Sequence, residues 1–195
     1  MDETAEDVPV IDLSKAPGAG EAWDRPAAVI ALWMLAETVL VSNPLQISSS
    51  LRVRVLRAFG ADIGEGVIMR PRIRVKFPWK LRIGDRSWIG EGVWFHNQDR
   101  IEVGDDVVLS QEAFLTTGSH RVRTDMGLIT RPVVIEDGAW ITTRCVVLGG
   151  TRVGRSALAK PMTVVKGHVP PGAVVSGPDC SVVGRRFERS ARSDS

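Results

Sequence analysis

Tyrosine is absent from this 195-residue sequence, and cysteine and histidine are scarce, at two and three residues. Cys145 and Cys180 are too few for a disulfide framework and lack metal-ligand spacing, which suits a reducing, cytoplasmic setting. No apolar run reaches the roughly 20 residues that a membrane-spanning helix needs. The nearest, Pro26 to Val41, is interrupted by Glu37, and no basic segment of the kind that opens a signal peptide precedes it. An excess of one charge sign is also missing, since 25 Lys and Arg face 23 Asp and Glu for a formal net charge of +2. That balance excludes a nucleic-acid binder working by bulk electrostatics, so any cationic site must be local. With 44% hydrophobic and 25% charged residues the chain is not disordered either, and its length suits one core.

What the sequence has in quantity is turn formers: 19 Gly and 11 Pro, beside six Trp. Residues 1–24 are acidic, with glycine and proline and no periodicity, and read as an extended arm. Residues 25–60 form a helical segment. Pro26 suits a first helical turn, Pro44 ends the first helix, and a second from Ser48 to Phe59 is stopped by Gly60. That second helix is expected to pack through Leu51, Val55 and Leu56. Both read as packing helices, with the first open to contact with a membrane surface. From residue 61 to 183 the period becomes six, which suits neither a helix nor an alternating strand. Aliphatic or aromatic residues fall at Ile63, Met69 and Val75, at Ile83, Ile89 and Phe95, and at Val103, Leu109 and Leu115. They resume at Ile135, Ile141 and Val147 and run on to Val165. Small or β-branched residues follow four positions later, among them Ser87, Ala113, Ser119, Ala139 and Cys145.

This is the signature of a parallel β-helix of hexapeptide repeats: a triangular coil of three short strands per turn, with the aliphatic inside and the small residue at a crowded corner. Three phase jumps, Val75 to Ile83, Phe95 to Val103 and Leu115 to Ile135, predict bulges or loops. The largest, residues 118–132, is polar and holds no hexad, and a loop thrown out of a solenoid is where function concentrates. The hexad count places His120 on the outward phase, shared with Trp88, Trp94, Phe114 and Trp140. Four large aromatics on a water-facing wall point to a second subunit or a flat ligand. Residues 184–195 form a basic tail.

Hexads with a protruding loop beginning Gly118-Ser119-His120 resemble those of the left-handed β-helix O-acetyltransferases. The nearest resemblance is to the colanic-acid biosynthesis acetyltransferases, through Asn43-Pro44-Leu45, Arg57-Ala58-Phe59-Gly60-Ala61, Pro78-Trp79-Lys80-Leu81, Ser87-Trp88-Ile89-Gly90, Ser110-Gln111 and Ile135-Glu136-Asp137. The resemblance implies a mainly β, left-handed parallel β-helix that moves an acetyl or other acyl group from acyl-CoA to a hydroxyl, as a homotrimer with active sites between subunits. His120 would be the general base, a role that imidazole suits near pH 7. Asn97 matches the position that orients the base or acceptor, although a polar turn residue explains it almost as well. Trp140 and Thr143 match the thioester end of the CoA tunnel, with Thr143 as an oxyanion donor. Lys160, Lys166 and Arg185 would meet the CoA phosphates. No metal is expected. The acceptor would be a sugar of an exopolysaccharide or a small glycosylated natural product, and membrane contact would follow if it is lipid-linked.

Two departures stand out. Arg121 follows His120 where the colanic-type pattern has Asp, and the C-terminal Gly-Asn-Pro-Ala pattern is Gly177-Pro178-Asp179-Cys180 here. Two other readings share the fold. A γ-type carbonic anhydrase needs three clustered histidines, whereas His96, His120 and His168 are widely spaced. A non-catalytic binding scaffold would stay inert toward acyl-CoA.

Overall fold

The structure, a computed structural model, describes residues 10–18, 20–178 and 180–185. What the sequence suggests for the first nine residues of the arm and for the tail beyond Arg185 lies outside the described residues. Three parallel sheets form the walls of a prism. The first face holds Asp62–Ile63, Leu81–Ile83, Ile101–Val103, Val133–Ile135, Arg152–Val153 and His168–Val169. The second holds Ile68–Met69, Trp88–Ile89, Val108–Leu109, Trp140–Ile141, Leu158–Ala159 and Ala173–Ser176. The third holds Arg74–Val75, Trp94–His96, Phe114–Thr116, Val146–Val147 and Val164–Val165. The hexad aliphatics fill the interior, with Ile83, Phe95, Leu109, Leu115, Ile141 and Val165 all at most 1% exposed. Of the small corner residues, Ser87, Ala113, Ala139 and Cys145 are completely buried. Ser119 is a correction: it is exposed, because the chain has left the coil by then.

One corner shows why glycine follows the aliphatic. A Cβ on Gly64, Gly84 or Gly104 would sit 2.2, 2.2 or 2.3 Å from an oxygen of Asp85, Asp105 or Asp137 in the next coil. Those carboxylates accept from the backbone N–H of Glu65, Asp85 and Asp105 at 2.8, 2.8 and 3.0 Å. The column of aspartates therefore ties coil to coil, and only glycine leaves room for it.

Register partners lie 20 residues apart in the first coils, Asp62 with Arg82 and Arg82 with Glu102. They lie 32 apart across the large excursion, Glu102 with Val134, and then 18 and 16, Val134 with Arg152 and Arg152 with His168. All three phase jumps fall at the corner between the third and first faces, and they stack. Asn97 accepts from the Phe77 N–H at 3.1 Å and donates to the Phe77 carbonyl at 2.6 Å. Thr117 Oγ1 accepts from the Asp99 N–H at 2.8 Å, and Lys80 Nζ donates to the Gln98 carbonyl at 2.9 Å. The end of the N-terminal arm is pinned to this corner as well. Trp23 packs edge-on against Phe77, and Asp24 accepts from Trp79 Nε1 at 2.7 Å. Within the arm, Leu13–Lys15 and Gly20–Ala22 form single 3₁₀ turns rather than a fully extended chain.

The first coil would leave three strand edges open, a liability for any sheet. Two helices close them: α1 (Ala27–Ala36), continued by a π-helical turn over Glu37–Val41, and α2 (Ser49–Ala58), whose first turn is capped by Ser48. On the first face, Arg57 Nε donates to the Ile63 carbonyl at 2.9 Å. On the second, Ser49 Oγ accepts from the Met69 N–H at 2.8 Å, and Arg52 Nη1 donates to the Met69 carbonyl at 3.3 Å. On the third, Glu37 accepts from the Val75 N–H at 2.9 Å, and Trp33 Nε1 donates to the Val75 carbonyl at 3.1 Å. The packing face of α2 thus corrects the sequence expectation. Leu56 is buried and Val55 packs half-buried against the core as expected, but Arg52 and Val53 are buried ahead of Leu51, because Arg52 is needed as a backbone donor. At the other end, Ser181–Arg185 adds an antiparallel strand to Ala173–Ser176 and covers the last edge of the second face.

Replacing Trp33 by Ala removes a 2%-exposed side chain and uncovers the Val75 carbonyl. A loss of about 3–5 kcal/mol is expected, measured as a lower midpoint in chemical denaturation.

Candidate active site

Between Phe114–Thr116 and Val133–Ile135 the chain leaves the prism as an antiparallel hairpin, Gly118–His120 against Leu128–Thr130. His120 is directly opposite Leu128 and is exposed. It points outward as expected, but for a different reason: it stands on the hairpin and not on the coil wall. Gly149 makes room for the base of this excursion, since a Cβ there would lie 2.8 Å from the Thr117 carbonyl oxygen. A cleft of about 280 Å³ runs along it, lined by Thr117, Ser119, Ile129, Arg131, Leu148 and Gly149.

His120 Nδ1 lies 2.8 Å from the Met126 carbonyl oxygen. A carbonyl only accepts, so Nδ1 carries the proton and the neutral ring keeps its lone pair on Nε2. The turn that presents this carbonyl is closed by side chains. Arg121 donates through Nε and Nη2 to the two oxygens of Asp125 at 2.8 and 2.9 Å, a bidentate fork. Asp125 also accepts from the Gly127 N–H at 2.9 Å. A Cβ on Gly127 would sit 2.1 Å from Arg121 Nη2, so the guanidinium keeps its place only against glycine. The Arg121 guanidinium, and then the Gly127 N–H, hold the Asp125 carboxyl far below the usual carboxylate range. Stability gained by such a group is present above its ordinary pKa and is lost only as pH falls through the depressed one, so the turn stays locked across the range in which imidazoles titrate. Arg121, where the resembling pattern has Asp, thus belongs to this lock, and a backbone carbonyl rather than a carboxylate orients the histidine.

The other candidate residues are dispersed. Asn97 is completely buried, with both ends of its amide on the Phe77 backbone, so within one chain it presents nothing toward His120. Trp140 stands on the second face, 39% exposed, with Nε1 donating to Ser110 Oγ at 2.9 Å. Thr143 sits in the turn between the second and third faces, its hydroxyl 3.4 Å from Gln111 Oε1. Lys160 shares that edge, whereas Lys166 follows Val164–Val165 at the corner of the hairpin side. Arg185 ends the last strand. His120 and Thr143 therefore occupy different edges of the prism. Sequence reasoning missed Met126, Asp125 and Gly127, since a backbone acceptor leaves no side-chain signature.

The three histidines are not gathered. His96 ends a strand with Nδ1 3.1 Å from Thr116 Oγ1, and burial, then the Lys76 charge, lowers its pKa. His168 is exposed on the first face. Among the described residues, no group of three or more His, Cys, Asp or Glu is placed to hold a metal ion.

The outward columns differ from face to face. The first carries Asp62, Arg82, Glu102, Val134, Arg152 and His168 in register. The second is apolar throughout, Ile68, Trp88, Val108, Trp140, Leu158 and Val174. The third runs Arg74, Trp94, Phe114, Val146 and Val164, with the Arg74 guanidinium 3.8 Å over the Trp94 ring. The outward aromatics thus fall on two walls rather than one.

Comparison with known proteins settles the family. The chain is 30% identical over 163 residues to the colanic acid biosynthesis acetyltransferase WcaF of Escherichia coli, covering 83% of this chain and 90% of that one. It belongs to the hexapeptide-repeat acetyltransferases. No family model matches the chain. A hexapeptide-repeat acetyltransferase from Vibrio cholerae, solved with acetyl coenzyme A, superposes with a TM-score of 0.72 at 24% identity, over 83% of this chain and 87% of that one. A galactoside acetyltransferase in complex with coenzyme A gives 0.74 at 19% identity, over 89% and 84%. The fold is the left-handed parallel β-helix of these proteins, and the chain is an acyl-CoA-dependent acyltransferase.

The tautomer can be read directly. Nitrogen NMR is expected to find His120 protonated at Nδ1 and bare at Nε2 in the neutral ring, and Gly127→Ala, which displaces Arg121, should mix the two tautomers.

Proposed function

We propose that this acyltransferase moves an acetyl group from acetyl-CoA to a hydroxyl of a sugar or glycoside, with His120 as general base. The observation that carries the reading is the Nδ1 contact to the Met126 carbonyl, which leaves Nε2 as a free acceptor at the surface of a protruding hairpin. A hydroxyl becomes a competent nucleophile when a base takes its proton as attack begins. Nε2 of His120 would take that proton while the hydroxyl oxygen attacks the thioester carbonyl. The oxyanion then needs a donor already aimed at it, for which the backbone N–H or hydroxyl of Thr143 is proposed, beside Trp140. Collapse expels the CoA thiolate, and the proton held by His120 can return to it. Lys160, Lys166 and Arg185 are proposed for the CoA phosphates.

His120 and Thr143 lie on different edges of one prism, so a site that uses both must draw them from different subunits. The face chemistry supports a homotrimer. In a cyclic assembly each subunit meets its neighbours through two different surfaces. The second and third faces, apolar and aromatic, suit burial, while the charged first face suits solvent. In such an assembly Asn97 supports the corner under the hairpin, a positioning role. The acceptor is proposed to be a sugar of a polysaccharide under construction, in keeping with the name of the Escherichia coli relative. A small glycosylated natural product offers the same hydroxyl chemistry.

His120→Ala is expected to lower acceptor-dependent CoA release by about 10²–10⁴-fold, with the oligomer mass and the melting profile unchanged. Full activity in the variant with a sugar acceptor would overturn the assignment.

A further inference from the structure

Helix α1 is apolar on its outside as well as its inside. Trp33 is buried, yet Leu32, Met34, Leu35 and Val39 are 58, 57, 63 and 47% exposed. Leu45 and Ile47, in the link to α2, are 86 and 85% exposed. An ordinary surface helix turns charge to water, and one that is apolar all round is covered by something. The one acid on the helical run, Glu37, is turned inward onto the Val75 N–H.

The surroundings are cationic. Residues 25–82 hold ten Lys and Arg against three Asp and Glu. Arg25 precedes α1, Arg54 is exposed on α2, and Arg70, Arg72 and Arg74 border the first coil. The two exposed acids pair with cations, Asp62 with Arg82 at 3.5 Å and Glu65 with Arg57 at 2.9 Å, while Arg72 and Lys80 pair with acids outside that stretch, Glu91 at 3.5 Å and Asp24 at 3.1 Å. Apolar side chains ringed by arginine match an anionic lipid surface, which offers an acyl boundary beneath negative headgroups.

Placement favours lipid over a neighbouring subunit. Trp33 and Glu37 bond to the open edge of the first coil, so α1 lies across the end of the prism and not along a wall. Prisms packed side by side through their second and third faces, as proposed above, bring three such ends onto one side. Their helices then form one apolar, cationic base. Ten α-helical and five π-helical residues span about 22 Å, and no described helix is long and apolar enough to cross a membrane. A helix of this kind lies in the interface.

We propose that α1 and the Leu45 to Ile47 link seat the protein on an anionic lipid surface, which would bring the active sites to a lipid-linked acceptor. The seating rests on the side-by-side assembly, but its test needs no catalysis. The full chain is floated with vesicles of phosphatidylcholine and phosphatidylglycerol, and with phosphatidylcholine alone. The wild type is expected to float with the anionic vesicles, less at high salt, and Leu32→Ser/Leu35→Ser to float about tenfold less with unchanged oligomer mass and CoA release. Quenching of wild-type tryptophan fluorescence by bromine-labelled lipids gives a readout that needs no variant. Failure of the wild type to bind anionic vesicles at low salt would overturn the proposal. So would binding indifferent to the double substitution, or dissociation of the variant into monomers, which would show that another subunit covers the helix.

Discussion

The hydrogen bonds of this solenoid run from coil to coil, and that governs everything built on it. Strands of two or three residues have no partner within their own turn, so Ile68 donates to Ser87, Trp88 to Val107, Val108 to Ala139 and Trp140 to Ala157. No coil can change its length except by leaving and rejoining the stack at the same corner. The three insertions obey this rule at one edge, and the third becomes the hairpin that carries His120. The same rule makes both ends vulnerable. Arginine, tryptophan, serine and glutamate side chains close the first coil, and an antiparallel strand covers the last strand of the second face.

Such a frame is rigid where the chemistry needs it and spare elsewhere. His120, the proposed base, is set by a single backbone carbonyl, which an arginine, an aspartate and a glycine hold in place within seven residues, Arg121 to Gly127. The ion pair is exposed and of modest worth in isolation. Its value is geometric, since the fork fixes the turn that fixes the tautomer. The walls differ in chemistry: the first face carries mostly charged residues, and the second and third carry the apolar and aromatic ones on which the proposed assembly rests.

Most of the coil was legible in the sequence because burial repeats every six residues and the interior admits only aliphatics. Phase jumps at Val75, Phe95 and Leu115 located the insertions for the same reason. What escaped was whatever the period does not encode. Ser119 kept the hexad count while the chain had already left the coil. Arg52 sits in the helix core because a buried carbonyl outweighs a charge rule, and no pattern of hydropathy shows that. The sequence left Asn97 open between a group that orients the base and a polar turn residue, and only the folded corner shows both ends of its amide on the backbone of Phe77 one coil below. His120 was legible as a loop residue, but its orienting partner is a backbone oxygen and could emerge only from the folded turn.

The central claim is that acetyl transfer uses His120 of one subunit with the Thr143 edge of another. Hybrid oligomers test it most directly. His120→Ala subunits are unfolded and refolded together with Thr143→Trp subunits, whose added bulk blocks the proposed thioester position, and acceptor-dependent CoA release is compared with that of each pure variant. Random mixing leaves one site in four with both native residues, so about a quarter of the wild-type rate is expected. Hybrids as inactive as their parents would contradict a site shared between subunits.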